Sequence, residues 1–461
     1  MHFVIFGGTG DLSQRKLLPS LFHMFCDGLL LPDFKIHIVA RGDFTDATCR
    51  DLAQDALVEF ADALMMADAA KVSAFIEHIH YQKLDVYDEL QWQAFSNKLN
   101  QDQAAYAFYM AVPPSAFAPI SQALKQHGFA DHENLLVVEK PLGEDLKTAN
   151  EINQILTASF DEDHIYRIDH YLGKEAVKTW TDLRLAHSEM ASCWSDAYID
   201  RIDVTIMETV GVEGRFEYLD KLGVLRDMVQ NHMLQLLALT MMDISRVEPD
   251  ALRQAKADIL KNLSPCVPEN MVRGQYIAGT IQGETVPAYL KEIAGHADGV
   301  GDTYVALRSF VDTDQWRNTD IYIRMGKRLA KRQADIVIHV TQEFIEKFDL
   351  ELPYLQINIQ PDMVMSPIEN AMNLFEKTDL ADRDAHRHIE AYEALLRDLL
   401  NRNKTFFVHG DENKAAWAWV DDIRAKWDKN QTVFAPYEAG SYGPVAANQI
   451  LKAGHKWQED I

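Results

Sequence analysis

The chain opens with four apolar residues in a row inside His2–Phe6. A short apolar run without alternation predicts a strand covered on both faces, as in a parallel sheet. Asp11–Leu31 follows with apolar residues at helical spacing. Lys35–Ala40 reads as a second strand, and Ala107–Val112 and Leu135–Glu139 as later ones. Strands separated by helix-length stretches predict right-handed β-α-β units and a parallel sheet. The pattern changes near Arg167. Beyond it come longer strand-like runs: Arg201–Glu208, Thr303–Val311, Asp320–Arg324, Ile336–Gln342 and Tyr354–Ile359. Helical stretches there are fewer and bunched, and Leu222–Met242 is apolar nearly all round, which predicts burial. The expectation is an α/β domain over residues 1–168. A larger α+β domain with a mostly antiparallel sheet follows over 169–461.

Composition narrows the function classes. The 461 residues carry a formal charge of −25, with 45 basic against 70 acidic side chains. Such a field repels polyanions, so no nucleic-acid partner is expected. A small phosphorylated ligand stays open, because a cleft can be basic inside an acidic protein. No apolar run reaches the ~18 residues of a spanning helix, so no membrane association is expected. Cys26, Cys49, Cys193 and Cys266 are scattered, with no Cys-x-x-Cys pair. That disfavours a disulfide scaffold or a thiolate metal site and fits a cytoplasmic protein.

The first strand runs into Gly7-Gly8-Thr9-Gly10-Asp11-Leu12. Glycines allow a tight turn and let backbone N–H groups approach a pyrophosphate, while the following helix turns its positive end to the anion. This is the Rossmann form of a dinucleotide site, although a plain strand-to-helix turn has the same glycines. The second strand ends in Ala40-Arg41. An acidic residue there suits the ribose hydroxyls of NAD; Arg41 suits the extra 2′-phosphate of NADP. Asp43, two residues on, leaves NAD as a second choice.

These residues resemble the start of the glucose-6-phosphate dehydrogenase family, G-A-S-G-D-L-x-x-R-K-x-x-P, with Arg15, Lys16 and Pro19 in place. Further blocks agree in order. Glu139-Lys140-Pro141-Leu142-Gly143 resembles E-K-P-F-G. Arg167 through Glu175 reads R-I-D-H-Y-L-G-K-E without a change. Glu208 with Gly211–Arg215, and Arg226 through His232, match E-x-x-G-x-E-G-R and R-D-M-V-Q-N-H. Ala439 through Pro444 resembles A-G-S-W-G-P. The blocks span nearly the whole chain. Departures fall at Phe216-Glu217, where the family has Gly-Gly, at Lys178-Thr179 and at Ser195. Gln333 stands where members with a second, structural NADP carry a base, so that site is not carried over.

The resemblance implies oxidation of D-glucose 6-phosphate at C1 to the 6-phosphogluconolactone with NADP as hydride acceptor, the entry step of the pentose phosphate pathway. It implies a homodimer or homotetramer. His232 becomes the base, and His is the side chain that titrates near neutral pH unperturbed. By α-helical spacing Asp227, Asn231, His232 and Gln235 share an arc of roughly 140°. A polar arc on a buried helix either lines a polar network or faces a cleft. The resemblance gives Asp169 the task of orienting His232; spacing alone leaves a structural salt bridge equally open. His170, Tyr171 and Lys174, with Lys327 and Arg332, would hold the sugar phosphate. The bland readings are a mixed surface turn and a solvated loop. Lys140 would touch substrate and nicotinamide ribose, with a cis bond to Pro141. Glu208 and Asp227 would accept from sugar hydroxyls, or else pair with Arg215 or Arg226. No metal is called for. Two alternatives are a dehydrogenase of a related sugar phosphate and a silent dinucleotide-binding regulator.

Overall fold

The computed structural model describes residues 1–102, 104–244, 249–360, 368–369 and 387–457. The chain forms two compact units. The first holds Met1–Gly173 and Ile389–Gly410, and the second holds Lys174–His388 and Asp411–Ile461. Nothing in the apolar pattern announced the return of 389–410 to the first unit.

The first unit is built on β1 (His2–Phe6), β2 (Ile36–Ala40), β3 (Ile79–Lys83), β4 (Tyr106–Met110), β5 (Leu135–Val138) and β6 (Ile165–Arg167). All neighbours are parallel, in the order β3-β2-β1-β4-β5-β6. This is the doubly wound dinucleotide-binding order, with its switch point between β1 and β4. All five residues of β1 are buried. Val4 and Phe6 pack with Phe108, Leu136 and Val138, and with Phe117, Ile120 and Leu124 from a covering helix. Each large apolar side chain so buried contributes about 1.5–3 kcal/mol. The predicted helix Asp11–Leu31 is shorter. It passes through a π turn at Ser13–Leu17 and ends at Cys26. Gly28 follows at φ +71°, a backbone that stops a helix.

The second unit is an eight-stranded sheet. Its strands are β7 (Ile199–Met207), β8 (Met271–Ile277), β11 (Tyr304–Ser309), β12 (Asp320–Gly326), β13 (Gln333–Val340), β14 (Tyr354–Gln360), β15 (Ile368–Glu369) and β16 (Ala435–Glu438). A separate hairpin, β9 (Gly279–Ile281) and β10 (Glu284–Val286), stands beside the sheet order β15-β14-β13-β7-β12-β11-β8-β16. Only β7–β12 and β8–β16 are parallel; the other pairings are antiparallel. One face packs Tyr276, Tyr304, Tyr322, Tyr437 and Trp457 together. The predicted helix Leu222–Met242 is not one α-helix. Gly223 sits at φ +66° and breaks it, Leu225–Met233 is π-helical, and Leu234–Met241 is α-helical. The 100°-per-residue arc therefore holds only in its last third. No described helix is long and apolar enough to cross a membrane.

His37 of β2 is buried, with the rings of His80 and His2 at 5.8 and 6.4 Å and Asp102 Oδ2 at 3.6 Å. Burial, then the neighbouring His80, lowers its pKa to about 3. Unfolded, it takes its proton near pH 6.5. The unfolded state thus binds more protons below 6.5, and stability is lost as pH falls from 6.5 towards 3. The slope is up to about 1.4 kcal/mol per pH unit for such a group. The thermal midpoint is expected to drop between pH 6.5 and 4, and His37→Leu is expected to flatten that slope. An unchanged slope in the variant would show that His37 is not the group responsible.

Candidate active site

The glycine turn follows β1 directly. Gly7 has φ +77°, and a Cβ there would sit 2.2 Å from the Ala111 carbonyl oxygen beyond β4. A Cβ on Gly8 would meet Ile38 Cγ2 at 2.8 Å and the Ile5 carbonyl at 2.9 Å. Backbone therefore approaches backbone at the switch point, which a side chain would prevent. Gly7 N and Gly8 N donate to Val39 O at 2.9 and 3.2 Å, and Gly10 N to Gly7 O at 2.9 Å. The helix starts at Asp11, so the N–H groups of Asp11 and Leu12 belong to its unpaired first turn. Gln14 Nε2 donates to Thr9 O at 2.7 Å and braces the loop. These residues fit a pyrophosphate.

Arg41 is exposed and makes no side-chain hydrogen bond or ion pair among the described residues. Asp43, the alternative ribose acceptor, is instead paired to Lys83 Nζ at 2.5 Å. Parallel pairing sets Lys83 opposite Ala40. The sequence reading missed Lys83, because the short, half-polar β3 gives little apolar signal.

At the end of β5, Glu139 is buried and accepts from Tyr109 Oη at 2.5 Å. Tyr392, from the returning segment, bonds to the same carboxylate. Burial pushes the Glu139 carboxyl above its usual range, and burial with the adjacent Glu139 raises both phenols. The next residue is Lys140, half-buried, joined to Pro141 by a cis bond. Tyr109 and Tyr392 were also missed. A Tyr in an apolar strand reads as core, and Tyr392 lies 253 positions from Glu139.

The block after β6 is a single 3-10 turn, His170–Gly173. Asp169 is 1% exposed, and its Oδ1 accepts from Tyr171 N at 3.0 Å. Tyr171 is buried, and His170 stacks on Tyr392 with ring centres 6.2 Å apart. A Cβ on Gly173 would meet the Ala391 carbonyl at 2.3 Å, so the turn lies hard against the returning helix Ala391–Leu400. This is no loose surface turn. Lys174 opens the second unit as the residue before helix Glu175–Ala186.

In the second unit β7 and β12 run parallel, with Met207 opposite Gly326. Glu208 and Lys327 are the next residues of each, so the register sets them side by side. Lys327 Nζ lies 2.5 Å from Glu208 Oε2. Lys327 is 2% exposed and Glu208 25%, so Lys327 is not a solvated loop charge. Leu329 N donates to Glu208 O at 2.9 Å and Tyr437 Oη to Lys327 O at 2.7 Å, fixing both backbones. Arg332 is exposed and has no side-chain partner among the described residues.

The expected alternative of Glu208 or Asp227 pairing with Arg215 or Arg226 is corrected. Glu208 takes Lys327, and Arg226 Nε donates to Leu222 O at 2.8 Å. Asp227, half-buried, accepts from Tyr218 Oη at 3.4 Å. His232 lies on the π segment and is 4% exposed. Wide π turns are concentrated at functional sites. Its neighbour Asn231 turns back, and Asn231 Oδ1 accepts from His232 N at 2.6 Å. Phe216, at a position where the sequence departs from the family pattern, stacks on His296 at 4.8 Å and starts helix Phe216–Val224.

Residues 4–179 match the family model "Glucose-6-phosphate dehydrogenase, NAD binding domain", and residues 181–458 match "Glucose-6-phosphate dehydrogenase, C-terminal domain". A glucose-6-phosphate 1-dehydrogenase of Rhizobium meliloti is 36% identical over 481 aligned positions, covering 100% of this chain and 98% of the relative. A solved glucose-6-phosphate dehydrogenase in complex with glucose 6-phosphate superposes with TM-score 0.83 at 26% identity, covering 98% and 96% of the two chains. The glucose-6-phosphate 1-dehydrogenase of Mycobacterium avium gives TM-score 0.79 at 28% identity, covering 99% and 98%. With both family models matched in order along the whole chain, this protein belongs to the glucose-6-phosphate dehydrogenase family.

Proposed function

We propose that the chain oxidises D-glucose 6-phosphate at C1 to 6-phospho-D-glucono-1,5-lactone, with NADP as the preferred coenzyme. The observation that carries this reading is the Lys327–Glu208 pair at the aligned ends of β7 and β12. A nearly buried ammonium is costly unless it is paired and hydrogen-bonded. Here it is paired to a carboxylate that keeps a quarter of its surface open, so the pair offers Glu208 to a polar ligand with the Lys327 charge directly behind it.

The roles divide by chemistry. His232 takes the C1 hydroxyl proton, as a positioned imidazole can. Asp169 holds the imidazole tautomer and stabilises the imidazolium. Lys174, Lys327 and Arg332 supply charge to the sugar phosphate, and His170 and Tyr171 supply donors. Glu208 and Asp227 accept from sugar hydroxyls, and Lys140 bridges substrate and coenzyme ribose. The nicotinamide, when bound, supplies the hydride acceptor. Arg41, open and without a side-chain partner among the described residues, favours the 2′-phosphate of NADP, and the exposed Lys83 beside Asp43 adds positive charge nearby. A cytoplasmic homodimer or homotetramer is the state proposed with this activity.

Absorbance at the reduced-coenzyme band, with several hexose phosphates and both coenzymes, tests the reading directly. Glucose 6-phosphate with NADP is expected to give the highest kcat/KM, and a higher value with another sugar phosphate overturns the assignment. His232→Asn is expected to leave substrate binding near normal and to lower kcat by ~10²–10⁴, the share of a general base. A variant that keeps more than about a tenth of kcat removes His232 from that role. Arg41→Ala is expected to weaken NADP by about 1.5–3 kcal/mol, the scale of a charge-assisted hydrogen bond, and to spare NAD. Equal weakening of both coenzymes would make Arg41 structural. Lys174→Ala is expected to raise KM for glucose 6-phosphate about tenfold or more and hardly to alter the weak reaction of free glucose. Equal losses on the two sugars would place the phosphate cradle elsewhere.

A further inference from the structure

The π segment Leu225–Met233 carries two of the residues given roles above, Asp227 and His232. π geometry mostly occurs as a single wide turn inside an α-helix, so nine residues of it need support from outside. Its hydrogen bonds close over five residues where an α-helix closes over four. A segment that relaxed to α would therefore turn His232 in a different direction. Much of what packs against the segment is apolar: Leu225, Met228, Val229 and Met233 are all buried. Apolar contacts hold it in place but are non-directional, and rotation is resisted better by a hydrogen bond.

Two such bonds to other elements bracket the segment. At its amino end Leu225 N donates to Asp302 Oδ2 at 2.9 Å. Nearer its carboxyl end, two residues before His232, the buried Gln230 donates from Nε2 to Asn413 Oδ1 at 3.2 Å. Asn413 is itself buried, near the start of helix Gly410–Lys429. Its chain neighbour Glu412 lies 3.3 Å from Lys256 Nζ, on helix Pro249–Lys261, and both side chains are 0% exposed. A pair so deeply buried returns little net stability, because both charges must leave water. Removing either partner would strand the other charge, so the pair holds the two helices to one alignment. At the surface Lys261 repeats the link to Asp411 at 2.9 Å. Asn413 is thus a fixed acceptor, pinned by its own helix, against which the π segment is set.

We propose that Asn413, acting through Gln230, is a positioning residue that sets the aim of His232. This role presupposes His232 as the base of the reaction described above. All the groups involved lie within the second unit.

A double-mutant cycle in the full-length protein tests it. Asn413→Leu strands the Gln230 amide, Gln230→Leu strands Asn413, and the double variant removes both polar groups. Losing one partner of a buried hydrogen bond is costly, whereas replacing both by apolar groups can be nearly neutral. The thermal midpoint is expected to fall in each single variant and to recover in the double. By contrast kcat is expected to stay about tenfold to a hundredfold low in all three, the scale on which a small misplacement of a reacting group acts. KM for glucose 6-phosphate is expected to change less than kcat. In a His232→Asn background, Asn413→Leu is expected to lower kcat no further, because the base it aims is gone. If a single variant does not fold, the double variant carries the test. Recovery of kcat together with the midpoint in the double variant would make the Gln230–Asn413 bond purely structural and overturn the proposal, as would an undiminished loss in the His232→Asn background. Those results leave the base reading intact, since that reading fails only if His232→Asn alone keeps its kcat.

Discussion

The parallel pairing of β7 with β12 is the constraint on which the second unit's chemistry depends. In a sheet otherwise mostly antiparallel, these two central strands end at the same level, Met207 against Gly326. The residue after each is a charge of opposite sign, and their side chains meet at 2.5 Å. An antiparallel pair would send the two ends in opposite directions, and Glu208 and Lys327 would part by the length of a strand. Burying Lys327 without Glu208 would leave an unpaired cation, at several kcal/mol. One register therefore brings Glu208 and Lys327 together. The strongly apolar inner residues of β7 hold that register, because a one-residue slip would turn each of them to the other face.

The first unit obeys the same logic through sterics instead of charge. The turn after β1 works because Gly7 and Gly8 let it come against Ala111, Ile5 and Ile38. Glu139 extends the pattern at β5. Its carboxylate is fixed by two phenols, so the chain leaves the strand at Lys140 in one defined direction. One of those phenols, Tyr392, also stacks on His170. The returning segment thus braces both the end of β5 and the turn after β6, which explains why a stretch so distant in sequence belongs to this unit.

Much of this was legible in the residues, and the gaps have physical causes. β1, β2, β4 and β5 show as apolar runs because they are covered on both faces. β3 is an edge strand that buries only alternate residues, and β6 is three residues long, so neither rises above its surroundings. The π segment escaped because α and π helices share composition and differ in hydrogen-bond step. Pairing across β7 and β12 escaped because periodicity reports which face is buried and not which strand is the neighbour. Conversely Lys174, Lys327, Asp169 and His232 became candidates through the motif resemblance. Charge and spacing alone favoured a surface turn and a solvated loop, and left a salt bridge at Asp169 open.

A chain of charge −25 and an anionic substrate are compatible for a reason that net charge conceals. Screening at physiological ionic strength acts over about 8 Å, so most of the carboxylates on the surface do not act on a bound phosphate. What acts is the set of groups in contact, in a medium where each interaction is stronger than in water. Lys327 is 2% exposed, and the Tyr437 hydroxyl holds its backbone carbonyl, so its ammonium is fixed against Glu208. A surface of that sign works against polyanions, which bind by summing many weak contacts over a wide area. A small phosphate makes few contacts, all local, and the same protein can reject the one and hold the other.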